Sequence, residues 1–405
     1  APAAADNDLG WYWKDGLRLK NADGSLEFKF GGRVLFDLSW ISADDDFKAS
    51  GLSTEDGSEF RAARLFVEGE LYDEYFFKAE MDFGGSATGV EDVQGTAFND
   101  LTVEVDDNRP VIKDTFIGKR DVIGSADVKV GHYKEPFSLD QLTSSRFTTF
   151  MERSVADAFV PGRSDGISIY FAAMVEHMTW PVGVFRAADD AGFSVGDGGY
   201  SATGRVTGTP LYEDDGDRLV HLGAAYSIRD AESARFRARP EAHLSDRFVD
   251  ARTSSDDVDL IGIELAGVFG PFHAEAEYVQ AMVDGVSGAA SPDFDGYYVQ
   301  AGYFITGETR NYKRSSGTFD RTVPAKAWSK KDGGMGALEA ALRYSSLDLT
   351  DDGISGGEIG NVTVGLNWYL NSNMRLMANY VMSNVENGSF DESADIFLVR
   401  FQVDW

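Results

Sequence analysis

The feature that most constrains this chain is a two-residue alternation of large apolar and polar side chains, cleanest from Ala394 to Trp405 (Ala-Asp-Ile-Phe-Leu-Val-Arg-Phe-Gln-Val-Asp-Trp). Phe397, Val399, Phe401, Val403 and Trp405 share one face, and Leu398, Arg400, Gln402 and Asp404 the other. That is the period of a β-strand with one oily and one mostly wet side. A soluble sheet must cover such an oily face with a second layer, because an exposed aromatic row on an edge strand invites aggregation. A strand in a bilayer needs no cover, and closing the sheet into a ring removes its edges.

The pattern recurs. From Glu27 to Trp40 the even positions Phe28, Phe30, Val34, Phe36, Leu38 and Trp40 are apolar, and Leu35 is the exception among the polar odd ones. Similar rows run through Ala63 to Leu71, Tyr75 to Phe83, Val220 to Arg229, Phe272 to Tyr278, Leu338 to Ser345, Val362 to Trp368 and Met374 to Tyr380. The rhythm is weaker over Val111 to Lys134 and Ile167 to Arg186. Tyr72 to Glu74, Gly270-Pro271 and Asn371 to Asn373 read as tight turns, whereas Ala43 to Glu59 and Gly84 to Pro110 are long, polar, and acidic or glycine-rich. Short turns on one rim and long loops on the other mark an outer-membrane barrel.

With strands of roughly ten residues, a chain of 405 residues accommodates about 16 strands, enough to enclose an aqueous channel. The expected fold is therefore all-β: one closed antiparallel transmembrane β-barrel over residues 1–405, preceded by an N-terminal segment to about residue 22, with loops folded into the lumen. No run approaches the ~18 apolar residues of a membrane helix. Cysteine is absent, which excludes disulfides and thiolate metal sites and suits a cell-envelope protein. The start Ala-Pro-Ala-Ala-Ala-Asp is what signal cleavage would leave. A formal charge of -30 argues against a nucleic-acid partner.

Positive charge is unevenly placed. Three windows, Phe137 to Asp165, Arg229 to Asp256 and Arg310 to Asp332, hold 16 of the 37 Lys and Arg residues against 12 acids, so that taken together they are net positive in a strongly acidic chain. The densest pieces are Arg235, Arg237 and Arg239 at every second position, and the group from Arg310 to Lys331. Guanidinium and ammonium groups lining a pore replace part of an anion's hydration shell, so these windows are candidate constriction loops. On solvated loops the same residues could instead dock lipopolysaccharide phosphates.

Several stretches resemble the phosphate- and pyrophosphate-selective porin family. They are Phe60-Arg61-Ala62-Ala63-Arg64-Leu65, Gly131-His132-Tyr133-Lys134 continuing to Leu142-Thr143-Ser144-Ser145-Arg146, Met151-Glu152-Arg153, and Val220-His221-Leu222-Gly223 with Arg229-Asp230. Gly296-Tyr297-Tyr298 with Thr306-Gly307-Glu308, and Val364-Gly365-Leu366-Asn367-Trp368-Tyr369, complete the match in chain order. The resemblance implies a bacterial outer-membrane homotrimer of 16-stranded barrels, each passing small anions such as phosphate along an arginine ladder to a basic constriction. By position it assigns basic sites to Arg33, Arg61, Arg153, Arg229, Arg237, Arg239 and Lys313. Gln141 stands where the family's phosphate-binding lysine is expected, Ala62 and Glu241 replace arginines, and Val323 replaces a lysine. Arg64 and Lys113, standing where an aromatic and an acid are expected, partly offset these losses. Weaker phosphate binding follows.

No enzyme and no cofactor are expected. His132, His177, His221, His243 and His273 are scattered, with no metal-ligand spacing and no Gly-x-Ser-x-Gly. The alternative to an anion channel is a weakly selective or cation-tolerant general porin. A lipid-face Ser/His phospholipase and a surface adhesin are more distant readings. Asp44-Asp45-Asp46 and Asp214-Asp215-Gly216-Asp217 fall short of a calcium loop.

Overall fold

The computed structural model describes residues 9–44, 47–48, 52, 55–84, 110–173, 177–189, 191–388 and 390–405. Residues 85–109 of the Gly84 to Pro110 loop, and residues 45–46 of the acidic run, lie outside them. Sixteen antiparallel strands close into a ring. They are β1 (Leu26–Ala43), β2 (Gly57–Leu71), β3 (Tyr75–Asp82), β4 (Val111–Ile123), β5 (Ala126–Lys134), β6 (Arg163–Ala173), β7 (Met178–Thr179 and Val182–Ala187) and β8 (Tyr200–Glu213). The second half comprises β9 (Arg218–Asp230), β10 (Val249–Phe269), β11 (Phe272–Gly285), β12 (Asp293–Phe304), β13 (Ala337–Asp351), β14 (Ile354–Asn371), β15 (Met374–Asn387) and β16 (Phe390–Asp404). Each strand pairs with the next, and β16 pairs with β1 through Phe401 opposite Phe36 and Arg400 opposite Asp37. No sheet edge is left on the ring, so the oily alternation needs only lipid.

The outward register is as the alternation requires. Leu65, Leu222, Val364 and Phe401 are exposed and Val34, Phe36, Phe77 and Leu376 half-exposed on the outside. Their strand neighbours Arg33, Asp37, Arg375, Arg400 and Gln402 are buried inside, and Leu35 is turned inward with them. Tyr72 and Asp73, both at positive φ, form the two-residue turn whose twist matches a hairpin. A short strand, Leu17–Asn21, pairs with β1 below the end of β16, and Leu9–Trp13 pairs with it in turn.

Two stretches with weak alternation are strands with broken parity. β4 carries a register shift opposite Ala79 and Met81, and β7 is interrupted at Trp180-Pro181, where proline cannot donate to the ladder. The rims also depart from a simple division into short turns and long loops. The 305–336 connection leaves from the rim of tight turns, so the third basic window enters opposite to the other two. The second window is partly wall: Arg229 belongs to β9, and Val249 to Asp256 belong to β10.

The lumen is largely filled. Segment 135–162 crosses it carrying α1 (Leu139–Leu142) and a 3₁₀ turn (Val155–Phe159), and a short strand Ser233–Ala238 folds back along the upper part of β10. Phe137, Val155 and Phe159 from the first pack with Phe236 from the second and with inward Val258, Leu260, Val279, Val283, Leu347 and Leu349 of the wall. Each fully buried Phe here contributes about 1.5–3 kcal/mol. This core holds the inner loops against the wall.

A candidate anion constriction inside the barrel

Polar wall residues tie the 135–162 segment in place. The Glu277 carboxylate accepts the Leu139 and Asp140 amides at 3.0 and 2.7 Å, where the first helical N–H groups have no partner within the helix. Arg375 donates to the Thr148 carbonyl at 2.7 Å, Asn367 to that of Thr149 at 2.8 Å, and Asn379 accepts the Met151 amide at 2.9 Å. Arg343 donates to the Glu152 carbonyl at 3.1 Å, and Arg33 to the Ser145 hydroxyl at 2.9 Å. Pinned on one side, the segment covers the inner faces of β8 to β16 together with the 305–336 insertion, whose Ser316 and Gly317 carbonyls meet Arg205 and whose Tyr312 meets His221. Charged lumen groups keep access to water on the other side, with Glu68 40%, Asp114 25% and Lys78 17% exposed against 2% or less for Arg205, Arg229, Arg343 and Arg400.

Beside the pinned segment lies a cavity of about 100 Å³ bordered by Arg61, Arg153, Arg235, Arg237, Arg239 and Arg247 with Glu152, Asp157 and Glu241. Arg61 reaches it because β2 bulges there: Leu35 pairs with Ala62 but Phe36 with Phe60, leaving Arg61 as the extra residue turned inward. Its guanidinium forms a two-pronged pair with Glu152, both contacts 3.0 Å, and Arg400 reaches the same carboxylate at 2.7 Å. Burial would raise the Glu152 carboxyl, but Arg61 and then Arg400 outweigh it and hold it well below the usual range. Arg153 donates to the carbonyls of Asp140, Gln141 and Thr143 at 3.0 to 3.2 Å, satisfying the C-terminal end of α1. Arg239 donates to the Ser245 carbonyl at 2.8 Å and Arg235 pairs with Asp250. Burial, then neighbouring Arg61, lowers Arg239, and burial pushes Arg247 down to about 10, so Arg247 stays charged at neutral pH. Glu241 is occupied by Arg343, Ser345 and Thr363 of the wall.

Of the residues singled out in the sequence, the structure thus gathers Arg61, Arg153, Arg235, Arg237 and Arg239, adding Arg247 and His243. The others lie apart. Arg33 is bound to Glu80 at 2.6 Å, and Arg64, with Lys113 nearby, to Asp82 at 2.5 Å on the β1–β4 wall. Arg229, expected on the anion path, is 2% exposed and locked onto Glu135 at 2.8 and 3.0 Å. It braces the wall, because Glu135 also accepts the Ser164 and Thr203 hydroxyls. Lys313 sits on the 305–336 insertion, which Arg310 anchors to Glu275 and Tyr312 to His221. His221 and His273 pair with Glu264 and Glu339 at 3.0 and 2.6 Å. Among the described residues no three His, Asp or Glu groups are placed to hold a metal.

A closed 16-stranded antiparallel barrel with an oily outer face, inner loops and a polar lumen is the architecture of an outer-membrane porin. The family model for phosphate-selective porin O and P matches residues 28–405, and the chain belongs to that family. It is 26% identical to porin O of Pseudomonas aeruginosa, over 96% of this chain and 91% of that protein. It is 30% identical to an uncharacterized protein of Caulobacter vibrioides, over 100% of this chain and 78% of that protein. Among solved structures, the anion-selective porin from Comamonas acidovorans aligns with TM-score 0.53 at 14% identity, covering 94% of this chain and 100% of that one. OmpT of Vibrio cholerae aligns with TM-score 0.54 at 14% identity, covering 94% and 98%. At such identity these two speak for the fold.

Proposed function

We propose that this porin passes small anions, phosphate among them, and that the cavity bordered by Arg61, Arg153, Arg237 and Arg239 is where anions are preferred over cations. The observation that carries this reading is the local charge balance: six arginines against three carboxylates around one small cavity, in a chain whose total charge is -30. Range explains how both can hold. At 0.15 M salt the Debye length is about 8 Å, so acidic groups on distant loops are screened, while guanidinium groups bordering the passage act inside that length. Low-dielectric surroundings focus their field further.

The three carboxylates temper the site without cancelling it, Asp157 lying 3.9 Å from Arg153. Glu152 is shared between Arg61 and Arg400, and Glu241 is held by Arg343, so each carries a cation of its own from the wall or loop. Gln141, buried beside Arg153, supplies no charge, and phosphate is accordingly held weakly enough to pass through. Assembly as a homotrimer in contact with outer-membrane lipid and lipopolysaccharide fits the family, and a trimer form is described for the Vibrio cholerae porin.

The test is block of chloride current by inorganic phosphate in planar bilayers. Millimolar phosphate should reduce single-channel chloride conductance, and Arg153→Ala with Arg237→Ala should relieve the block. Unchanged chloride current at saturating phosphate would leave the general-porin reading in its place.

A further inference from the structure

The 305–336 insertion divides between two surroundings. Its first half turns into the lumen, where Arg310 meets Glu275 and Tyr312 meets His221. From Lys326 the chain leaves the lumen and closes a small hairpin against the lower end of β14. The Trp328 amide donates to the Leu370 carbonyl at 2.6 Å, Ser329 bridges to Gly334, and the Gly336 amide donates back to the Lys326 carbonyl at 3.1 Å. Trp368 shares the outward register of β14 with Val364 and Leu366. Its indole donates to the Met335 carbonyl at 2.7 Å, and the Trp328 ring meets it edge-on with centres 6.0 Å apart. The hairpin is thereby fastened to the outside of the wall at the short-turn rim, where Trp328, Met335 and Tyr303 are exposed. Rings at this level form the girdle that meets lipid headgroups.

The hairpin is also basic where the rim around it is not. Lys326, Lys330 and Lys331 fall within six residues, all exposed, beside a single acid, Asp332. Lys326 donates to the Asp332 carbonyl at 2.6 Å, and the Asp332 carboxylate accepts the Ser329 hydroxyl at 3.0 Å, so that acid is folded back onto the hairpin. Elsewhere on this rim the turns are acidic, as at Asp73-Glu74 and Asp214-Asp215. Cations there are neutralised by neighbours: Lys119 by Glu74 at 2.9 Å, Arg120 by Glu70 at 2.6 Å and Arg218 by Glu213 at 2.6 Å. Among the described residues no carboxylate lies in ion-pair reach of the three hairpin lysines.

We infer that the 326–336 hairpin binds the phosphate headgroup of an anionic phospholipid in the leaflet at the short-turn rim. The tryptophan pair sets the hairpin at headgroup depth, and a lysine stem can lie along apolar surface while its ammonium reaches the phosphate. Each lysine beside an anionic surface raises local headgroup occupancy roughly fivefold. Acidic turns on the rest of the rim repel the same headgroups, which confines the attraction to this sector. Short turns face the periplasm, so the partner is phospholipid and not the lipopolysaccharide of the opposite leaflet. The inference rests on the barrel's seating in the outer membrane and is independent of which ion the pore prefers.

The absence of cysteine allows a single fluorescent label. Met335→Cys on the hairpin, and Met382→Cys on the outside of β15 towards the long-loop rim, are each labelled with bimane and reconstituted in phosphatidylcholine vesicles. Trace phosphatidylglycerol or phosphatidylcholine, nitroxide-labelled on the acyl chain near the headgroup, then quenches the label. At Met335→Cys the phosphatidylglycerol probe should be enriched about fivefold or more over the phosphatidylcholine probe, and at Met382→Cys the two should quench alike. Lys330→Gln with Lys331→Gln, whose side chains make no contact within the hairpin, should bring the ratio at Met335→Cys to within about twofold of unity, as should 1 M salt, where the Debye length is about 3 Å. Equal quenching by both probes in the wild-type background, an enrichment that survives the double substitution, or an equal enrichment at Met382→Cys overturns the inference. Zero-current potentials recorded on the same preparations tell a failed lipid site from a failed selectivity site.

Discussion

Arg237→Ala isolates the contribution of one cavity arginine, because Arg237 lies on the inner Ser233–Ala238 strand and lines the cavity without belonging to the wall. A unit charge about 6 Å from a permeating ion is worth roughly 0.7 kcal/mol in a water-like dielectric. Screening over that distance at physiological salt reduces it by about half. Removing the charge destabilises the anion and relieves the cation by similar amounts, so the permeability ratio moves by about 0.7 to 1.4 kcal/mol. That is roughly a three- to tenfold loss of anion preference. Reversal potentials in a tenfold KCl gradient across planar bilayers read the ratio directly. A variant that inserts and conducts normally yet keeps its wild-type ratio within a factor of about 1.5, far inside that range, would refute the assignment.

The pH response follows from Asp140, which burial pushes up to about 6 with Arg153 opposing and Glu275 adding to the rise. Acidification from about pH 7.5 to about 5 protonates it and removes a negative charge beside Arg153, so the anion/cation ratio should increase across that window, and Asp140→Asn should flatten the response. The raised value also favours the folded state at low pH; that contribution is fully present below the ordinary Asp value of about 4 and is lost as pH rises through about 6. Glu135→Gln strips Arg229 of its buried partner and should cost about 3–5 kcal/mol, seen as earlier thermal unfolding in detergent. Leu222→Arg places a charge on the lipid face and should cost about 2–4 kcal/mol in folding into bilayers, whereas Leu222→Ile should be nearly silent.

The lipid-facing register of the barrel is legible because bilayer imposes one rule on every strand, so rows such as Val34 to Trp40 and Phe397 to Trp405 carry the pattern unaided. Strands whose parity is broken by a bulge, like β4 near Thr115, hide from an alternation test. The inner core is illegible for a related reason. Val258, Leu260, Val279, Leu347 and Leu349 occupy the inward register expected to be polar, because loops fold over them. Their trace in the sequence is a local reversal of the pattern, with polar Asp257, Asp259, Ser346, Asp348 and Thr350 at the outward positions beside them. Local charge density points to Arg237 and Arg239, which line one cavity. It does not separate them from Arg229, whose partner Glu135 lies 94 residues away in sequence and is brought to it only by the fold. Arg247 comes later on the same inner loop as Arg239, with no spacing that marks it out, yet it borders the same cavity as Arg61.

The most direct test of anion preference at the arginine-bordered cavity is the sign of the zero-current potential of the wild-type channel in a salt gradient. With KCl tenfold more concentrated on one side, the cavity predicts a potential of the sign set by chloride, despite the formal charge of -30 on the chain. Selectivity should persist at about 0.15 M salt, where charges beyond about 8 Å are screened. A potential of the sign set by potassium would contradict the central claim and show that the wall and loop carboxylates govern the pore.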